Sequence, residues 1–315
     1  MINFLCIVVF ILGFVLILKG GDMLVESSVN LAKKTKIPPM VVGATVVAIA
    51  TTFPETTVSL ISSFKGVEEV GINTAIGSMV CNFTIVLGVS FLLLPSKISA
   101  NNFVSKIIYF CLCVILLLFL GLNGKFSTLE AIILLLLLVG FIILNIRDAK
   151  KSEESPSVEM VKQSWVQIIA EFLVSALAVG LGAMVLVNNV DTISQMLGIK
   201  SGIVSFVIIA VGTNIPELVT TISSVRLKNP EIGVGNIFGA STIDCTLLIA
   251  CSIFASSGSF ITISRALLLV TVPTLLLITA IIAIPILKRN KSNRLQGALL
   301  IAIYLLYTYI VCTKM

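Results

Sequence analysis

Two glutamates stand in the middle of long apolar runs, and their surroundings match. Ala48-Ile49-Ala50-Thr51-Thr52-Phe53-Pro54-Glu55 returns 162 residues later as Ala210-Val211-Gly212-Thr213-Asn214-Ile215-Pro216-Glu217. The same offset carries Gly77 onto Gly239, Asn82 onto Asp244 and Thr84 onto Thr246. From Ile37/Ile199 to Ser90/Ser252 the copies align without a gap; their 12 identities in 54 pairs fall mainly on Gly, Pro, Glu and hydroxyl residues. One such element arises easily by chance. A matched pair with matched polar positions downstream marks an internal repeat, so the fold must be built twice.

The runs that carry the repeat belong to a membrane. The chain is 57% hydrophobic and 11% charged over 315 residues, with a mean hydropathy of +1.14, whereas about a quarter of the residues of soluble proteins are charged. Stretches of about 20 apolar residues, enough to cross a hydrocarbon core, recur throughout. They predict an all-α membrane protein with ten spans, near 3–19, 41–64, 70–94, 103–121, 127–146, 165–189, 202–226, 231–255, 263–287 and 293–312. The first stretch lacks a basic leader and a small-residue cleavage site and reads as a span. Residues 20–36 read as an amphipathic, basic-ended tail, with Asp22 and Glu26 in an interfacial charged turn. Spans four and five read as lipid-facing scaffold. Residues 147–163 form a polar linker between halves 1–146 and 164–315, each of five spans. An odd number of spans per half sets the halves in opposite orientation, the inverted-repeat plan of transporters.

Charge placement agrees. Of the 21 Lys and Arg residues, 16 fall in one set of loops, Lys33, Lys34, Lys106, Lys150 and Arg226 among them, and five fall in the other. This positive-inside bias puts both termini outside the cell membrane and the linker in the cytoplasm. The net charge of +6 is therefore a topology signal, and no nucleic-acid partner is expected. The seven cysteines lie in or beside apolar spans and read as small buried hydrophobes. The chain has no histidine, which removes the commonest general base and transition-metal ligand.

A charge at mid-bilayer costs about 2.5–3.5 kcal/mol on insertion scales, so it faces a partner or a wet cavity. The spans of Glu55 and Glu217 offer no Lys or Arg within reach, the nearest basic residues lying at the span ends. They are then either protonated or bound to cations from solution. Ala48, Thr51, Thr52, Glu55 and Ser59 share one side of span two, as Ala210, Thr213, Asn214, Glu217 and Thr221 do on span seven. Each proline frees a carbonyl one turn back, Ala50 or Gly212; if the distortion spreads, the carbonyls of Ala48 and Ala210 join them. Spans three and eight add Ser78, Asn82 and Asp244. Isolated hydroxyls such as Ser59, Ser62 and Thr221 read as helix-packing hydrogen bonds, and Glu171 as snorkelling to the interface. The donor set is hard oxygen. Calcium takes six to eight such ligands, sodium is satisfied by fewer, and paired buried carboxylates also permit proton exchange.

At these residues the chain resembles the cation/calcium exchanger superfamily, most closely its sodium/calcium exchanger branch. Gly43-Ala44-Thr45, Thr51 to Glu55, Gly77-Ser78 and Asn82 resemble its first alpha-repeat (37–90); Gly212 to Glu217, Gly235-Asn236 and Gly239 to Asp244 resemble its second (199–252). The resemblance implies a core of spans 2–5 and 7–10, with spans 1 and 6 sliding across it. It implies calcium shared by Glu55, Glu217, Thr51 and Thr213. Sodium sites would use the carbonyls of Ala48 and Ala210 with Thr51, Thr213, Ser78 and the position of Ala240, and Asn82 and Asp244 would sit beside the central site. Serine is usual at Asn214 and at Ala240, and serine and glycine at Thr52 and Ala50; asparagine at 214 resembles the proton/calcium branch. The expected function is a secondary antiporter exchanging calcium for sodium, with protons or potassium as alternative coupling ions and a cation channel as the rival class. No enzymatic chemistry, no cofactor beyond the transported ions and no obligatory protein partner are expected.

Overall fold

A computed structural model describes residues 2–64, 68–100, 103–151, 163–196, 213–256 and 260–314. It is almost wholly helical. In chain order come α1 (Ile2–Thr35), α2 (Pro39–Thr51), α3 (Phe53–Phe64), α4 (Glu68–Cys81), α5 (Leu87–Leu93), α6 (Phe103–Gly121) and α7 (Thr128–Lys151). They are followed by α8 (Trp165–Met196), α9 (Ile215–Arg226), α10 (Pro230–Ile243), α11 (Ile249–Ala255), α12 (Arg265–Arg289) and α13 (Arg294–Lys314). Among the described residues, eight helical segments are long and apolar enough to cross a membrane. Many of their large side chains point outward, Leu136, Val166, Leu177 and Leu295 among them, as lipid contact allows. The protein is a multi-pass membrane protein.

The repeat seen in the sequence is kept in the backbone. Shifting α3, α4 and α5 by 162 residues gives the bounds of α9, α10 and α11. Between α4 and α5 the chain makes one π-helical turn, Asn82–Val86, and between α10 and α11 another, Asp244–Leu248. Each wider turn begins at the polar residue of its copy. The break before each glutamate also repeats, with Thr52 at φ −80°, ψ 2° and Asn214 at φ −89°, ψ 6°. These angles leave the helical region because the following Phe-Pro or Ile-Pro pair cannot continue the ladder: proline has no N–H and its ring crowds the preceding turn. The expected unbroken span 41–64 is thus two helices meeting at Thr52.

Two further expectations are corrected. The first helix does not end near residue 19 but runs to Thr35, and Asp22 lies within it, accepting a hydrogen bond from Ser223 and facing Arg226 at 3.7 Å. Spans four and five are not featureless scaffold. Lys106 is fully buried in α6 and bonds Asp148 of α7 at 2.6 Å, with Ser105 donating to the same oxygen. An ammonium at the end of an apolar helix is tolerated there because a carboxylate on the neighbouring helix neutralises it. Glu171, read as snorkelling, accepts from Gln163, which in turn meets Asn30 and Lys34 of α1.

Three packing features position the centre. Long helices α1 and α8 pack along each other and touch backbone to backbone at Gly13 and Gly182: a Cβ on Gly182 would lie 2.7 Å from the Gly13 carbonyl oxygen. Segment α2 lies against α10, where a Cβ on Gly239 would fall 2.6 Å from that of Ala48. Phe83, Phe110 and Phe238 stack beside these contacts, with ring centroids 4.6 and 4.9 Å apart for Phe83 with Phe110 and Phe238. The halves are also stitched at both ends of α6 and α12. Lys125–Ser127 pairs antiparallel with Phe260–Thr262 at one end. At the other, Lys97 bridges Lys291 and the Ser96 and Ser292 backbones bond at 3.0 Å. Cys81, Cys113 and Cys245 are buried free thiols; the side chains of Cys6 and Cys312 lie outside those described.

Candidate functional site

Breaking the helix at Thr52 and Asn214 makes each glutamate the third residue of a new helix, Glu55 in α3 and Glu217 in α9. Unsatisfied backbone N–H groups gather in a first turn, and the helix dipole favours negative charge there. The proline that interrupts the span therefore also builds a place where a carboxylate is tolerated in oil. Glu55 and Glu217 are both 0% exposed, and none of their four carboxylate oxygens has a hydrogen-bond partner. Among the described residues the ion pairs join Lys106 to Asp148 and Arg226 to Asp22; neither reaches these acids. The carboxylates of Glu55, Glu217 and Asp244 lie within electrostatic reach of one another.

Around them runs a network that crosses between the halves. Ser78 donates to Asp244 Oδ2 at 2.7 Å and stands 3.0 Å from Asn214 Oδ1. A hydroxyl has one proton, and the shorter contact, to Asp244, holds it. Asn82 Nδ2 lies 3.5 Å from Ser78 Oγ, and Asn214 Nδ2 lies 3.5 Å from Thr213 Oγ1. Asp244 Oδ1 and Asn82 Oδ1 are buried without partners. On the other side Thr51 donates to Asn236 Oδ1 at 3.1 Å. The sequence thus brings Thr51, Glu55, Ser78, Asn82, Thr213, Asn214, Glu217 and Asp244 to one buried centre.

Ala48 is placed differently from the free carbonyl that the proline suggested. Its oxygen accepts both the Thr52 N–H at 3.0 Å and the Thr52 hydroxyl at 2.7 Å. In this arrangement both lone pairs are engaged. Ala210 lies outside the described residues. Ala240 is buried and brings no polar atom to the second copy's counterpart of Ser78.

Asn236 is a further residue of the site that sequence reasoning did not single out. It is 0% exposed, and its Nδ2 has no partner while its Oδ1 takes the Thr51 proton. With that proton turned toward Asn236, the Thr51 oxygen keeps its lone pairs for another direction. The available signal was helical spacing: Asn236 precedes Ala240 and Asp244 at intervals of four, which stacks them on one face.

The donor set fits hard cations. Among the described residues no three His, Cys, Asp or Glu side chains form a dedicated metal cluster, so a cation held here takes neutral hydroxyl and amide oxygens beside carboxylate. Such mixed oxygen coordination suits calcium and sodium and not thiophilic metals.

Known proteins resemble this chain over nearly its whole length. The chain is 27% identical to membrane protein MJ0091 of Methanocaldococcus jannaschii, covering 94% of this chain and 95% of that one. It is 24% identical to the sodium/calcium exchanger MaX1 of Methanosarcina acetivorans, over 97% of each. Solved structures of the sodium-calcium exchanger NCX_Mj, soaked with sodium and strontium, superpose with a TM-score of 0.83 at 25% identity, covering 99% of this chain and 100% of that one. Residues 5–147 and 168–313 match the family described as sodium/calcium exchanger protein. With both glutamate-bearing repeats inside the matched segments, the chain belongs to the sodium/calcium exchanger family.

Proposed function

We propose that this protein is a secondary antiporter that exchanges calcium for sodium across the cell membrane by alternating access. One observation carries the reading: four carboxylate oxygens of Glu55 and Glu217 are buried without a protein partner. Leaving ionised groups so would cost several kcal/mol each, and a divalent cation shared between them removes that cost. In this reading Thr51 and Thr213 complete the calcium shell. Sodium uses the carbonyls of Ala48 and Ala210 together with Thr51, Thr213, Ser78 and the neighbourhood of Thr52 and Asn214. Asn82 and Asp244 flank the centre. The chain crosses the membrane ten times as two inverted halves, 1–146 and 164–315, with 147–163 as a cytoplasmic linker and both termini outside.

A second reading, proton coupling, draws on Ala240 and Asn214, where two hydroxyl ligands for sodium are replaced. Calcium-45 uptake into proteoliposomes under imposed sodium, potassium or pH gradients separates the readings. An outward sodium gradient should drive uptake; uptake driven by the pH gradient alone would assign the coupling to protons, and leakage without coupling would point to a channel.

A further inference from the structure

The repeat offset pairs Ser59 with Thr221 and Ser252 with Ser90. A contact between Ser59 and Ser252 therefore has a mirror contact between Thr221 and Ser90. In this structure only one of the two is made. Ser59 Oγ and Ser252 Oγ lie 2.6 Å apart, while Ser90 Oγ and Thr221 Oγ1 are both buried with no hydrogen-bond partner. The helices that carry them are packed in both cases, α3 against α11 and α9 against α5. Repeated glycines flank the two places. A Cβ on Gly71 would lie 2.5 Å from Ser252 Oγ and 2.6 Å from Ser59 Oγ, and one on its repeat mate Gly233 would lie 2.3 Å from Ser224 Oγ and 3.0 Å from Thr221 Cα.

Ser59 and Thr221 each follow a glutamate by four residues, so each sits one helical turn beyond it on the same side. With the halves inverted, these turns lead from the carboxylates toward opposite faces of the membrane. We propose that the hydroxyl pairs Ser59–Ser252 and Ser90–Thr221 are the two gates of the ion path, and that one closes as the other opens. This rests on the antiport reading. A closed pair satisfies its hydroxyls mutually and leaves no polar site for water. An open pair presents two buried oxygens without protein partners, which water or a cation on its way to the glutamates satisfies. The glycines let each pair close without a side chain between the helices.

The test uses the full chain with its seven native cysteines replaced, carrying either Ser59→Cys with Ser252→Cys or Ser90→Cys with Thr221→Cys. A hydroxyl-to-hydroxyl contact at hydrogen-bond distance is close enough for a disulfide with little backbone movement. Cross-links are read by mass in proteoliposomes, independently of transport. Both pairs should cross-link, each lock should stop calcium-45 exchange, and reduction should restore it. Gly71→Ala, which wedges the first pair apart, should slow the first cross-link and speed the second several-fold. If Ser90→Cys/Thr221→Cys never cross-links while the first pair does, or if exchange continues through a locked pair, the gates are not there. An uncross-linked chain that moves no calcium under any gradient would instead remove the antiport reading, leaving the mass readout to decide the gates.

Discussion

The two copies of the repeat share a backbone and differ in chemistry. Helix bounds, helix break and π-turn recur at one offset, yet the polar side chains at the centre do not. The first copy offers hydroxyls at Thr52, Thr74 and Ser78 and an amide at Asn82; the second offers amides at Asn214 and Asn236, an alanine at Ala240 and an acid at Asp244. Among the charged and ion-facing positions, the Thr-x-x-Pro-Glu elements are the part that is chemically alike in both copies. The scaffold is thus duplicated to fix where oxygens stand, and the divergence lies in which oxygens they are. Among these positions the second copy brings the additional acid, and the first copy meets it through Ser78, which donates to Asp244.

The largest effect should come from the shared element. Glu55→Gln and Glu217→Gln each remove a charge from a buried centre, where loss of one charged partner costs about 3–5 kcal/mol; calcium-45 exchange should fall ~100-fold or more in both. Near-normal exchange in either variant would show that the copies are unequal even at the glutamates. A smaller effect should follow from Asn236→Ala. It releases the Thr51 proton and loses one hydrogen bond, about 1 kcal/mol, so calorimetric calcium affinity should weaken ~5-fold. Thr51→Ala in the same background should then add little, whereas full additivity would separate the two residues. The smallest effect is expected from Ala240→Ser, which makes the second copy resemble the first at Ser78. Sodium activation of exchange should shift to lower concentration by a few-fold, about 1 kcal/mol for one added neutral ligand; an unchanged sodium dependence would mean that the second copy holds no sodium at that position.

Much of the site was readable because it breaks the rules of its surroundings. An acid in an apolar run, a proline just before it and a second copy of both are local signals, and they located Glu55 and Glu217, although the expected spans through them are continuous where the helices in fact break. Other features depended on neighbours distant in sequence. Lys106 looked like a loop charge because nothing near it in the chain announces Asp148, 42 residues on. Asn236 stands in the sequence only as part of the second repeat's motif, and its role shows once Thr51 arrives from the first copy. The first helix runs past the expected span to Thr35, and within it Asp22 meets Ser223 and Arg226 on α9, partners that hydropathy alone does not reveal. The Ala48 carbonyl shows the converse: the proline pointed to a freed oxygen there, but the Thr52 hydroxyl and N–H occupy it.

The stitches at the two ends of α6 and α12 have a mechanical consequence. Helix α6 is 19 residues long, so the β-ribbon and the Lys97–Lys291 bridge sit about 28 Å apart, at 1.5 Å per residue. Two seams that far apart act like a door frame bolted at lintel and sill: neither post can slip along the other without tearing both fastenings. In the alternating-access reading proposed above, vertical travel would fall to parts outside the frame, such as the helices α1 and α8, which pack together at Gly13 and Gly182.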